Sequence, residues 1–397
     1  MTQSALLGGA GAQAPARNAI RVWIGERPAT QIVVFVAVLT LFAWLGATMD
    51  ANIERTGIRP GFDFLRSAAN FDIGESLIAY SPADTFGRAI VVGLLNTLAV
   101  SAAGCVLATI LGVALGIGRL SENPLLSGSV RAYVELMRNT PLLLQLFVWN
   151  GLFHALPAAR QAFSPLPGML LSNRGVFIPA LTFTTPAIAW AFAFLAVILV
   201  AAPIVAARTS PALRLRRRLL VSAALGALAA ALVWPVAQPG LVGLDVPALK
   251  GFNIRGGLSL TPEFSALLVG LVVNAAAGIA EIVRSGIEAI PAGQWEAARS
   301  LGLSRAKALQ LVVLPQAVRI ILPVMTSSYL SLTKNSSLAV AIGYPDLVSI
   351  VNTVANQTGQ AVEAIFIMVS VYLMISLSVS FAMNRYNARL IARSGRR

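Results

Sequence analysis

The sequence predicts an all-α polytopic membrane protein of about eight spans, with both termini on the cytoplasmic side. Three observations predict it. Apolar residues make up 57% of the 397 positions and charged residues only 12%, with a mean hydropathy of +0.76. No water-soluble domain needs that much apolar surface. The apolar residues fall in runs of roughly 20, enough to cross a hydrocarbon layer about 30 Å thick. Finally, with the N-terminus inside, about 21 of the 30 basic residues fall on inner segments and about eight on outer ones, as expected because Lys and Arg are retained on the cytoplasmic face. The net charge of +14 then reflects topology and anionic lipid, and a nucleic-acid partner is not expected.

The elements follow in order. Residues 1–30 form a cytoplasmic tail with Arg17, Arg21 and Arg27. Segment 31–84 holds a first span at about 31–48 and an outer loop rich in Asp50, Glu54, Asp63, Asp72, Glu75 and Asp84. This span is read as a retained anchor, because no small-x-small site followed by a soluble domain appears. Segment 85–157 carries spans at about 88–118 and 139–157, joined by an inner connection with Arg119, Arg131 and Arg138. Segment 158–262 carries two more, at about 179–207 and 219–239, around an inner turn with Arg208, Arg214, Arg216, Arg217 and Arg218. Segment 263–384 carries the last three, at about 263–283, 320–342 and 362–383, with a long cytoplasmic loop at 284–319, and 385–397 is a basic tail. The second and fourth runs are long for one crossing, so tilt or a helical extension is expected. Cys105 is the single cysteine and His154 the single histidine, so neither an intrachain disulfide nor a metal site is expected.

The loop at 284–319 is the most informative stretch. Pro291 suits the first position of a helix, where its missing N–H is harmless, and a short helix is expected from there to Ser300. Gly302 can take the left-handed conformation that ends a helix, and Ser304 can cap a second one. Gln294, Glu296, Arg299, Arg305, Lys307 and Gln310 alternate with Trp295, Ala298, Leu301, Leu303 and Leu309 at helical spacing. The result is a helix–glycine–helix elbow with an apolar face and a charged rim.

The spacing Glu296-Ala297-Ala298, Gly302, Val312, Leu314-Pro315 resembles the coupling loop that permease subunits of ABC-type importers present to their ATPase, with Val312 where isoleucine is common. Three further segments carry the resemblance: Gly93 to Leu98, Tyr133 to Gln145, and Tyr329 to Ala339 with Lys334-Asn335-Ser336-Ser337 at its heart. The last two are similar to signatures of the polar amino-acid, or histidine/glutamine, branch. The resemblance implies a type I ABC importer transmembrane fold: a five-helix core, here with an N-terminal anchor helix and two inserted helices. That enlarged layout resembles the general L-amino-acid permeases and relatives carrying glutamate, glutamine, aspartate and asparagine. It also implies a bacterial inner-membrane location. The implied partners are an ATPase subunit dimer, a second related permease and a periplasmic amino-acid-binding protein. The chain has no Gly-Lys pair, hence no Gly-x-x-x-x-Gly-Lys phosphate cradle. ATP and Mg are therefore expected on the partner ATPase, and this chain is expected to be a transport subunit, not an enzyme. An ion-coupled secondary carrier is the competing expectation, though no repeated halves or buried carboxylate pair support it.

Candidates for the substrate path are polar groups at membrane depth, which are costly unless they face protein or water. Ser327, Ser331 and Asn335 are spaced by four and share one helix face. Asn96, Thr97, Gln145 and Asn274 either complete a polar passage or join helices by hydrogen bonds worth about 1 kcal/mol. Lys334 is expected to pair with Glu135 or a substrate carboxylate, or to snorkel to the inner surface.

Overall fold

The computed structural model describes residues 28–56, 61–183 and 242–394. The span expected at 219–239 lies outside the described residues, as do residues 184–207 of the span expected at 179–207. Among the described residues, five helical stretches are long and apolar enough to cross a membrane: Ala29–Met49, Phe86–Arg119, Pro262–Glu288, Arg305–Ile342 and Ala361–Arg385.

The first of these lies in α1 (Pro28–Thr56) and is exposed along nearly all its length. Its Thr40 and Thr48 hydroxyls donate to the carbonyls of Val36 and Trp44, both at 2.8 Å, which hides their polarity within an apolar helix. The centre of the bundle is α2 (Phe86–Arg119) against α5 (Pro262–Glu288). Thr85 caps α2 by accepting from the Arg88 N–H at 3.2 Å, and Thr261 caps α5 by accepting from Phe264 at 3.1 Å. Glycines four apart let the two backbones approach. A Cβ on Gly112 would sit 2.6 Å from the Ile279 Cβ, and one on Gly116 2.7 Å from the Val283 Cβ. Such close seams replace the hydrophobic drive that lipid cannot provide.

Between them the chain forms α3 (Pro124–Asn139) and α4 (Leu142–His154). The span expected at 139–157 is thus corrected. A 13-residue helix rises only about 20 Å at 1.5 Å per residue, short of the hydrocarbon thickness. Pro141 causes the break, since it holds Thr140 extended at φ −101°, ψ 129°. α3 lies against α5. Its Tyr133 hydroxyl donates to the Val273 carbonyl at 2.6 Å, and its Met137 carbonyl accepts from Asn274 at 3.2 Å, both near the middle of α5.

The all-α expectation also needs correction. Short antiparallel strands gather at the end of the bundle where α4 stops and α5 starts. β1 (Leu170–Ser172), β2 (Gly175–Ile178) and β7 (Leu258–Leu260) form one sheet, while β3 (Ala180–Phe183) pairs with β4 (Val242–Asp245) and β5 (Ala248–Lys250) with β6 (Asn253–Arg255). The β3–β4 ladder runs from Ala180↔Asp245 to Phe183↔Val242. It occupies the first residues of the span expected at 179–207. Strands of three or four residues are too short to show alternation in a sequence.

At the opposite end α5 passes into α6 (Ala292–Ser300), α7 (Arg305–Ala308) and, through a π-helical turn at Leu309–Val313, α8 (Leu314–Asn335). The π turn stands just ahead of Pro315, whose ring collides with a regular turn and whose N–H is missing. Pro323 lies inside α8, which runs on through it. A 3-10 stretch, Ser336–Ile342, leads to α9 (Leu347–Thr358) and the final α10 (Ala361–Ser394). The sequence reading placed no helix at α9.

Candidate functional site

The elbow is built by local backbone chemistry. Pro291 sits just outside α6 as its N-cap, at φ −54° and ψ 139°. The helix closes with Gly302 at φ +74°. The Leu303 N–H reaches the Ala298 carbonyl at 3.2 Å and the Gly302 N–H reaches Arg299 at 2.9 Å. This is the paired bonding of a Schellman ending, which requires the left-handed residue that only glycine adopts freely. Ser304 stands at the N-cap of α7 without a side-chain capping bond, contrary to its expected role.

The elbow has an inward and an outward face. Ala298 is 2% exposed, and half-buried Trp295 and Leu309 pack on a cluster containing Ile287, Ile290, Val313 and Ala317. Glu296, Ala297, Gly302 and Pro315 are exposed, while Val312 and Leu314 are half-buried. Leu301, at 80% exposed, and Leu311, at 62%, stand out towards solvent. The elbow is braced from behind. Arg305 pairs with Glu122 and donates to the Leu120 carbonyl at 3.3 Å, and Gln316 donates to Gln294 Oε1 at 3.1 Å. A cavity of about 620 Å³ lies between Trp295, Leu309 and the C-terminal end of α2. Nearby, Glu281 receives both Arg119 and Arg284, and Arg284 also reaches Glu288, which locks the ends of α2 and α5 together.

The second candidate region is a groove of about 320 Å³ between the α3–α4 break, α5 and α8. It brings together Asn274, Ser327, Ser331 and Asn335 of the expected path, and adds Arg138, which sequence reading had assigned to an inner connection. The remaining candidates lie elsewhere. Asn96 donates to the carbonyls of Glu75 and Pro345 at 2.8 and 2.9 Å, and Thr97 accepts from the Leu347 N–H at 3.0 Å; both tie α2 to the approach to α9. Gln145 donates to the carbonyls of Met137 and Thr140, each at 3.0 Å. It therefore satisfies carbonyls left open at the end of α3. Glu135 is paired with Arg131 at 2.8 Å on its own helix, not with Lys334, which is exposed. His154 faces Glu263 at 3.5 Å. Among the described residues no cluster of His, Cys, Asp or Glu has the grouping of a metal site.

Sequence reading also missed Asp346. It caps α9 by accepting from the Ser349 N–H at 2.9 Å and is 0% exposed. Burial pushes its carboxyl up to about 7, although the N–H groups of Ser349 and Val348 pull the other way. The available signal was Asp three residues before Ser, ahead of the apolar run Leu347-Val348.

Comparison with known proteins adds the following. Residues 232–393 match the family described as binding-protein-dependent transport system inner membrane component. Three relatives align over nearly the whole chain. A protein of Escherichia coli (strain K12) with the provisional name amino-acid ABC transporter permease protein YhdX is 44% identical, covering 94% of this chain and 95% of its own. The general L-amino acid transport system permease protein AapQ of Rhizobium johnstonii is 42% identical, covering 91% of each chain. The glutamate/glutamine/aspartate/asparagine transport system permease protein BztB of Rhodobacter capsulatus is 38% identical, covering 90% of this chain and 92% of its own.

Proposed function

The chain belongs to the amino-acid permeases of binding-protein-dependent ABC transport systems, and on that premise we propose that it conducts polar L-amino acids of broad kind inward across the bacterial inner membrane. It works beside a second, related permease on a dimer of ATPase subunits that use ATP and Mg, and a periplasmic binding protein delivers the amino acid. Both termini lie in the cytoplasm, so the elbow faces the ATPases.

The observation that carries this reading is the elbow itself. Leu301, Glu296 and Ala297 are offered outward on a left-handed turn, with Val312 and Leu314-Pro315 at the root. The inward face is bonded to α2 and α8. When ATP draws the ATPases together, the elbows are pushed and the push passes as rigid-body motion into α8 and α2. The passage then opens outward to the loaded binding protein, and hydrolysis returns it. The polar face at Asn274, Ser327, Ser331 and Asn335 lies along that passage.

The test is uptake of a panel of radiolabelled L-amino acids by cells lacking the chain, with and without ATP depletion, restored with wild type or Gly302→Val. The expected result is ATP-dependent uptake of many amino acids with wild type, and its loss in the variant at normal membrane abundance, because valine resists the left-handed turn. Normal uptake by the variant overturns coupling through the elbow. The name of the Rhodobacter capsulatus relative favours a second reading, an acidic and amide subset. Uptake confined to glutamate, glutamine, aspartate and asparagine would establish it in place of the broad one.

A further inference from the structure

We infer that the strand module between α4 and α5 lies in the headgroup layer of the membrane, its apolar ribbon face on lipid chains and its cations on the phosphates of anionic phospholipid. The inference goes beyond transport and needs only that the helices span a membrane, whichever way round.

The β3–β4 ribbon is two-sided. Leu181 and Leu244 are register partners, flanked by the pairs Ala180↔Asp245 and Thr182↔Gly243. Opposed side chains share a face and neighbours along a strand alternate, so the leucines stand on one side and the small or polar residues on the other. A Cβ on Gly243 would lie 2.7 Å from the Thr182 Oγ1, in keeping with that pairing. Yet the leucines are 59% and 64% exposed. A two-stranded ribbon holds poorly in water by itself, and an uncovered apolar face marks a partner or a membrane. The β5–β6 hairpin is apolar at its tip. Phe252 is 74% exposed beside Gly251 at φ +68°, and the Arg160 Cζ stands 3.8 Å from its ring centroid. A ring under a guanidinium suits a layer that is apolar on one side and charged on the other.

Position and charge select lipid as the occupant. α5 is long and apolar enough to span from Pro262, and β7 ends at Leu260. A chain advances at most about 3.6 Å per residue, so the sheet stays close to the hydrocarbon edge. Residues 157–183 and 242–261 carry Arg160, Arg174, Lys250 and Arg255, all exposed, against one carboxylate, Asp245, which accepts from the Gly257 N–H at 2.8 Å. Residues 61–85 share this end of the bundle through the Thr261 bond to Glu75, and they carry Asp63, Asp72, Glu75 and Asp84 against Arg66 alone. Lipid phosphates are therefore attracted on the strand side and repelled on the other. The guanidinium fork matches a phosphate with paired N–H···O bonds.

The experiment is nitroxide EPR on the purified permease–ATPase complex in nanodiscs containing phosphatidylglycerol. Cys105→Ser removes the single cysteine, and labels are placed on Leu181→Cys, Thr182→Cys or Phe252→Cys. Labels at 181 and 252 are expected to relax more with oxygen than with a nickel chelate, which marks lipid, and the label at 182 the reverse. Equal nickel access at all three overturns the inference, because the module then stands in water. Shielding of 181 and 252 from both reagents also overturns it, since protein then covers them; shielding that requires added binding protein assigns the face to that partner. Exchange of phosphatidylglycerol for phosphatidylcholine is expected to lower the oxygen-to-nickel ratio at 181. The combined variant Arg160→Gln, Lys250→Gln and Arg255→Gln is expected to lose that dependence on headgroup charge. Its full retention in the variant overturns the role of the cations.

Discussion

The α2–α5 seam and the elbow are built from the same residue, glycine, used in opposite ways. In the seam Gly112 and Gly116 are valued for lacking a side chain, because Ile279 and Val283 already fill the space where one would go. In the elbow nothing lies within 4 Å of a Cβ on Gly302, and the residue is valued for its backbone at φ +74°. One glycine sets packing and the other sets direction. The pairing suits a transmitting device, in which a stiff pair of helices is driven by a tip whose orientation is held by a single turn.

Substitutions can break this contrast. The largest effect is expected for Gly116→Leu, which puts atoms inside the Val283 contact and cannot relax without separating α2 from α5. Fluorescence-detected size exclusion of the tagged chain should show loss of the monodisperse peak. Leu301→Glu is expected next, and selectively: abundance and peak shape unchanged, but binding-protein-stimulated ATP hydrolysis of the assembled complex lowered, because an exposed apolar contact has become a charge. If both variants fail in the same assay, stiffness and direction are not separate properties.

A third prediction concerns pH. The Asp346 carboxyl has a folded pKa of about 7 against an ordinary value of 3.8. The folded state thus holds the proton more tightly than the unfolded state, and stability is lost as pH rises from about 4 through about 7. The Tm of wild type should fall over that window, and Asp346→Asn, which keeps a capping side chain for the Ser349 N–H, should flatten the fall. An unchanged slope would place the pH dependence elsewhere. The smallest effect is expected at Ser304→Ala. Loss of an engaged N-cap typically costs about 1 kcal/mol, but Ser304 makes no capping bond, so its Tm should match wild type. Asn123→Ala, which removes capping bonds at 2.9 and 3.4 Å, should lower it.

What was legible in the sequence divides along the same line. Gly302 acts through its own backbone and Pro141 through its immediate neighbour, so elbow and helix break follow local rules. The elbow was anticipated from its residues, and the break was missed only because the flanking residues are apolar on one side and helical on both. The polar candidates were another matter. Asn96, Gln145 and Asn274 are alike as isolated amides, yet Asn96 reaches Pro345 far along the chain, Gln145 closes the end of α3, and Asn274 both holds Met137 and lines the groove. Which carbonyl an amide meets depends on tertiary approach, and spacing along a helix carries no trace of it. Arg138 was hidden for the same reason: counted as an inner-side charge, it lines both the groove beside Asn274 and a pocket with Glu281.

The β3–β4 ladder bears on how such a protein changes over time. Phe183 ends β3 and Val242 begins β4, and these two residues are register partners. Departure and return are thus a strand's width apart, clamped by four paired positions. A stretch tethered in this way can be lengthened, shortened or exchanged without shifting the helices on either side, much as a branch is grafted without recutting the trunk. Replacing residues 184–241 by a two-residue turn should therefore leave the α2–α5 seam intact.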